Sequence, residues 1–131
     1  MTEKIRTTVV KNDFLGESYT KIDHPSGCEI YVFPKKLSSI YAILGSKYGS
    51  INNIFKIQGD SEYTEVPDGI AHFLEHKLFT NEDGSDSFER FSEYGADANA
   101  YTSFTKTAYL FSCTDSLEDS LCELIDFVTH P

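Results

Sequence analysis

Three residues that could do chemistry lie close together in "VPDGIAHFLEHKLF": His72, Glu75 and His76. A helix advances about 100° per residue, so with His72 at 0°, His76 falls at about 40° and Glu75 at about 300°. The three share one arc. Ile70, Phe73, Leu74 and Leu78 fall between about 100° and 240°, which predicts an opposite, apolar face for packing. Imidazoles at i and i+4 can direct nitrogens at one zinc ion about 2.0–2.1 Å away. Glu75 lies too far round the helix to be a good third ligand. It is placed to act as general base, taking a proton from a water whose pKa zinc lowers towards about 7. H-x-x-E-H is the reversed order of the H-E-x-x-H zinc helix. The competing reading is an amphipathic helix whose histidines are structural or solvated.

The surrounding elements must hold this helix in place. Pro67 stops the preceding segment and Asp68 is the expected cap of a helix running to about Phe79. "NEDGSD" reads as loop. Asp86 followed by Glu89 makes a capping-box pattern for a short helix, "SFERFSEY", which Gly95 ends. "ADANAYTSFT" and "KTAYLFSCT" read as two strands joined near Thr105-Lys106. Asp115 with Glu118 opens a last helix, whose apolar positions are Leu117, Leu121, Leu124, Ile125 and Val128.

Upstream, extended segments flank the turn signal His24-Pro25-Ser26-Gly27. "SSIYAILGSKYGS" is a strong strand with Ile40, Ala42 and Leu44 on one face and Tyr41 and Ile43 on the other, the pattern of a buried central strand. One short strand is expected at residues 54–57. The order of elements predicts an α+β fold, a mainly antiparallel β-sheet with helices packed on one face. Residues 1–131 read as one domain, and the stop at "FVTHP" directly after a helix reads as a C-terminal truncation.

Composition narrows the function classes. The net charge is −10, with Lys35-Lys36 the one adjacent basic pair, so neither nucleic acid nor an anionic membrane surface is an expected partner. Three cysteines without a C-x-x-C argue against a disulfide framework and for buried free thiols. No apolar run approaches the roughly 20 residues of a membrane span, and the N-terminus lacks an apolar signal region, so a soluble cytoplasmic protein is expected.

"VPDGIAHFLEHKLF" followed by "FERFSEYGADANAYTSFTKTAYLFS" resembles the N-terminal domain of the pitrilysin (insulinase) family of zinc metallopeptidases, and most of all its small bacterial branch, which works as paired chains. The matching pattern is a G-x-A-H-x-x-E-H helix, a short helix ending in Gly, a strand with "ANAxT" and a strand with "TxYxF". The resemblance implies a pitrilysin-like metallopeptidase half-domain and a zinc cofactor held by His72 and His76, with Glu75 as base. It implies that Asn99 and Ala100 belong to an edge strand that pairs with a peptide substrate. It further implies a third zinc ligand, a glutamate on a later helix beyond residue 131, and a homo- or heterodimer with a related chain.

Tyr101, Phe104 and Tyr109 read as core or sheet-face aromatics. Glu118, Asp119, Glu123 and Asp126 read as the polar face of the last helix, and His130 as a surface residue. The expected activity of the whole protein is metalloendopeptidase cleavage of peptides or short unstructured chains, with this segment inactive alone. The alternative is a non-catalytic, peptide-binding or structural subunit of a heterodimeric processing-type peptidase, against which the intact "HFLEH" weighs.

Overall fold

In a computed structural model that describes residues 4–80, 84 and 86–130, the chain forms eight strands and three helices among the described residues. The expected loop "NEDGSD" falls largely on residues outside that set. The fold is α+β, with antiparallel sheets, and divides into two compact units, residues 1–37 and 38–131.

The first unit is a three-stranded antiparallel meander: β1 (Arg6–Asn12), β2 (Glu17–Asp23) and β3 (Glu29–Val32). The predicted turn at residues 24–27 joins β2 to β3. Gly27 closes it with φ 87° and an N–H bond to the His24 carbonyl at 2.9 Å. β1 is not among the expected strands; its β-branched run "TTVV" is exposed throughout, so no apolar alternation marks it.

The second unit carries the chemistry. Its main sheet has the order β4 (Ile40–Ser46), β8 (Thr107–Cys113), β7 (Asp97–Thr102), all antiparallel. A two-stranded ribbon, β5 (Ile54–Phe55) with β6 (Thr64–Glu65), stands apart. The helices α1 (Ile70–Leu78), α2 (Ser87–Glu93) and α3 (Leu117–Thr129) pack on one face of the main sheet. Ala42, Leu44, Ala98, Ala100, Tyr109 and Phe111 meet Phe79, Phe91, Leu124 and Phe127 there. The rings interlock, with Tyr109 and Phe127 edge to face at 5.6 Å and Phe79 and Phe127 at 5.0 Å.

Several expectations are corrected. Among the described residues β4 lies at the edge of its sheet and β8 is central. Ala42 and Leu44 do face the core, but Tyr41 and Ile43 are 62% and 51% exposed. An apolar run is compatible with a two-faced core without specifying one. Asp68 does not cap α1. Gly69 is the N-cap, in the left-handed region at φ 85°, and Asp68 Oδ1 accepts from Asn53 Nδ2 instead. Ser116, not Asp115, is the N-cap of α3. On α3 the buried stripe is Ser120, Glu123, Leu124 and Phe127, while Leu117, Leu121 and Ile125 lie on its exposed margin. Glu123 therefore leaves the predicted polar face and is buried against Arg90, whose Nη1 donates to its Oε2 at 3.4 Å. Of the three thiols only Cys113 is buried; Cys28 and Cys122 are exposed. Phe104 is an exposed residue of the β7–β8 turn.

Other local rules hold. Asp86 caps α2 by accepting from the Phe88 N–H at 2.8 Å, and Gly95 ends it at φ 69°. No helix among the described residues is long and apolar enough to cross a membrane.

The β7–β8 turn is held from outside the hairpin. Ser50 and Ile51 donate backbone N–H groups to the carbonyls of Ser103 and Phe104 at 3.0 and 3.1 Å. Gly49 permits this approach, because a Cβ there would stand 2.5 Å from both Lys106 N and Ser103 O. Both are backbone atoms that cannot swing aside. Gly49→Ala is expected to destabilise the protein by about 1–3 kcal/mol, read from the midpoint of a urea unfolding curve at unchanged m-value.

Candidate metal centre

α1 lies against β7 and β8, and that placement sets which of its residues are buried. Ala71, Glu75 and Phe79 face inward, while Phe73 and Leu74, on the face predicted to pack, are 60% and 43% exposed. The buried stripe is centred on Glu75. His72 and His76 lie at its solvent margin, both exposed.

The histidine rings converge. Their Nε2 atoms are 3.1 Å apart and the ring centroids 4.8 Å. Two nitrogens bound tetrahedrally to one zinc ion at about 2.0–2.1 Å stand about 3.3 Å apart. The pair thus fits a zinc ion by geometry as well as by donor type. One ligand-type atom from each of His72, Glu75 and His76 lies within 4.8 Å of the others, the only such group of three among the described residues.

Glu75 is 7% exposed. A buried carboxylate requires compensation, and Thr102 Oγ1 supplies it, donating to Glu75 Oε2 at 2.5 Å. Thr102 sits in line with Ala98 and Ala100, on the face of β7 turned towards the helices. Its cross-strand partner Thr107 donates to the Tyr48 carbonyl at 2.8 Å. Neither threonine is among the site residues expected from sequence. The period-2 alternation of "DANAYT" places Thr102 with Ala98 and Ala100, but only the packing of α1 on β7 puts it beside Glu75.

β7 is an edge strand of its sheet among the described residues. The Ser103 N–H bonds the Lys106 carbonyl across the turn. The alternation of an antiparallel ladder then directs the N–H groups of Tyr101 and Asn99 towards β8, and those of Ala100 and Ala98 outward. Asn99 Oδ1 accepts from the outward Ala100 N–H at 2.8 Å. Tyr101 lies on the exposed face, with Lys106 Nζ 5.5 Å from its ring centroid. His130 is exposed beside Asp126.

A helix with two convergent imidazoles and an adjacent carboxylate, packed on an antiparallel edge strand, makes a donor set suited to a metal ion. Residues 58–131 match the family described as insulinase, peptidase family M16, and the chain belongs to that family. It is 57% identical over 107 residues to the "Uncharacterized zinc protease YmfH" of Bacillus subtilis (strain 168), which covers 81% of this chain and 25% of that protein. It is 39% identical over 69 residues to "Insulin-degrading enzyme-like 2" of Arabidopsis thaliana, covering 49% of this chain and 7% of that one. The fold is similar to the crystal structure of a "putative M16-like peptidase" from Alicyclobacillus acidocaldarius, with TM-score 0.65, 35% identity, and coverage of 98% of this chain and 27% of that chain. The chain spans about a quarter of the length of YmfH and of this solved relative.

Tyr109 lies under the site, 4% exposed. Burial first, and then the charge of Glu75, push its phenol up to about 12. A raised folded-state pKa means the native state keeps a proton that the unfolded chain loses above about pH 10. Tyr109's contribution to stability should be complete below about pH 10 and be lost as pH rises towards about 12. Tyrosinate absorbance and unfolding free energy, compared with Tyr109→Phe across that range, check this.

Proposed function

We propose that this chain is part of a zinc metalloendopeptidase that hydrolyses peptides or short unstructured chains. The convergence of His72 and His76 beside a buried, hydrogen-bonded Glu75 is the observation that carries the reading. The names of its relatives, a zinc protease among them, support it.

His72 and His76 would hold the zinc ion through Nε2. Bound there, zinc would supply Lewis acidity and lower the pKa of water towards about 7. Glu75 acts as general base. Thr102 donates to Oε2, and we assign to Oε1 the proton taken from the attacking water and returned to the leaving amine. The outward backbone groups of β7 at Ala98 and Ala100 offer an extended peptide a strand to pair with. In such pairing Asn99 releases the Ala100 N–H to the substrate. Main-chain pairing of this kind accepts many side chains, which suits unstructured substrates.

A catalytic zinc site takes three protein ligands and one open position. We assign the third ligand to a glutamate outside residues 1–131, and the working form to a dimer with a related chain. The segment by itself then binds zinc weakly.

In the full-length protein, Glu75→Gln should lower peptide hydrolysis by about 10²–10⁴-fold while zinc stoichiometry, read by metal analysis, stays unchanged. His72→Ala should instead lose zinc and activity together. Undiminished cleavage by the Gln variant would sink the assignment of Glu75, and with it the enzyme reading of this site.

A further inference from the structure

The hydroxyl of Thr102 is held in a way that the peptidase reading does not by itself explain. Three side-chain oxygens lie in a row. Glu75 Oε2 is 2.5 Å from Thr102 Oγ1, which is 3.4 Å from Thr107 Oγ1. The proton of Thr107 is committed, because Oγ1 bonds the Tyr48 carbonyl at 2.8 Å and a carbonyl can only accept. Thr107 therefore has no proton for Thr102, and the proton of Thr102 is directed to Glu75. An ionised carboxylate accepts and cannot donate, so donation runs from Thr102 to Glu75.

The donor itself is rigidly mounted. Thr102 is β-branched on a strand, which restricts χ1. It faces Thr107 across the last pair before the turn. That turn is clamped by the Ser50 and Ile51 N–H groups, and by the close approach at Gly49. Thr102 also lies two residues beyond Ala100, on the strand proposed to receive substrate.

We infer that Thr102 is a positioning residue for Glu75. It fixes Oε2 so that Oε1 is the oxygen presented to water, and it joins the orientation of the base to the strand on which the peptide is laid. This inference rests on the peptidase reading. Among the described residues the hydrogen-bonding contacts of the Thr102 hydroxyl run to Glu75 and Thr107, not to the histidines. Removing the hydroxyl should therefore slow the proton-transfer step and leave binding alone.

The test compares Thr102→Val, Thr102→Ser and Glu75→Gln in the full-length protein, with steady-state peptide hydrolysis, zinc content and thermal unfolding read for each. Val keeps the shape and removes the donor; Ser keeps the donor and removes a methyl. The expected result is a kcat lower by about 10–100-fold in the Val variant, KM within about twofold, and zinc stoichiometry unchanged. Ser should restore kcat to within about threefold of wild type. An unchanged kcat in the Val variant, beside an inactive Gln variant, overturns the positioning role and leaves the peptidase reading standing. Equal losses in Val and Ser also overturn it, since shape and not the hydroxyl would then matter. Hydrolysis retained by the Gln variant removes both. If Val disturbs folding, the Ala and Ser variants give the same comparison, and equal kcat in those two is the overturning result.

Discussion

The burial of one carboxylate constrains the second unit of this protein. Glu75 occupies the centre of the inward stripe of α1, where an apolar residue would be expected, and its charge must be matched inside the protein. Leaving an ionised carboxylate buried without a partner costs several kcal/mol. A hydrogen bond to a charged group returns about 1.5–3 kcal/mol. The Thr102 hydroxyl supplies that bond, while Ala71 and Phe79, buried on the same stripe, hold that face of α1 inward. With Glu75 inward, His72 and His76 fall at the margin, where their Nε2 atoms meet in front of solvent.

The same requirement extends to the sheet. Thr102 can reach Glu75 only if β7 presents Ala98, Ala100 and Thr102 to the helices, and a one-residue slip would turn all three away. The register is held by the β7–β8 pairing and by the clamp on the turn at Ser103 and Phe104. Below, the aromatic cluster of Phe79, Phe91, Tyr109, Phe111 and Phe127 supplies the apolar mass against which α1 and α3 are set. Catalytic-type polarity and ordinary core packing thus meet at Tyr109, whose ring belongs to the cluster and whose phenol feels Glu75.

Membership of the M16 family gives these features a setting without supplying the whole machine. The chain covers about a quarter of YmfH, a relative to which it is 57% identical where they match. Within that span lie the paired histidines, the carboxylate and an edge strand. A zinc site completed by a further ligand would therefore join distant parts of a longer fold, which is how a metal ion comes to depend on correct tertiary assembly.

Much of the local structure was legible in the residues. The C-terminal end of α1, the cap at Asp86, the stop at Gly95, the turn at His24–Gly27 and the β7–β8 hairpin all follow from short-range steric and hydrogen-bonding rules that act within a few residues. The grouping of His72, Glu75 and His76 was legible too, because helical spacing is itself a local property. What sequence could not decide was which face each element turns inward. Apolar periodicity placed Ile70, Phe73 and Leu74 in the core of α1, yet Phe73 and Leu74 stand exposed. It also made β4 a central strand and put Glu123 in solvent. Facing is set by what lies opposite, and Thr102 is 27 residues from Glu75 in the chain. The sequence by itself determined a helix carrying two imidazoles and a carboxylate. Only the tertiary structure decided that the carboxylate is the buried member and a threonine its partner, because a charge is buried where a distant strand brings it a hydrogen-bond donor.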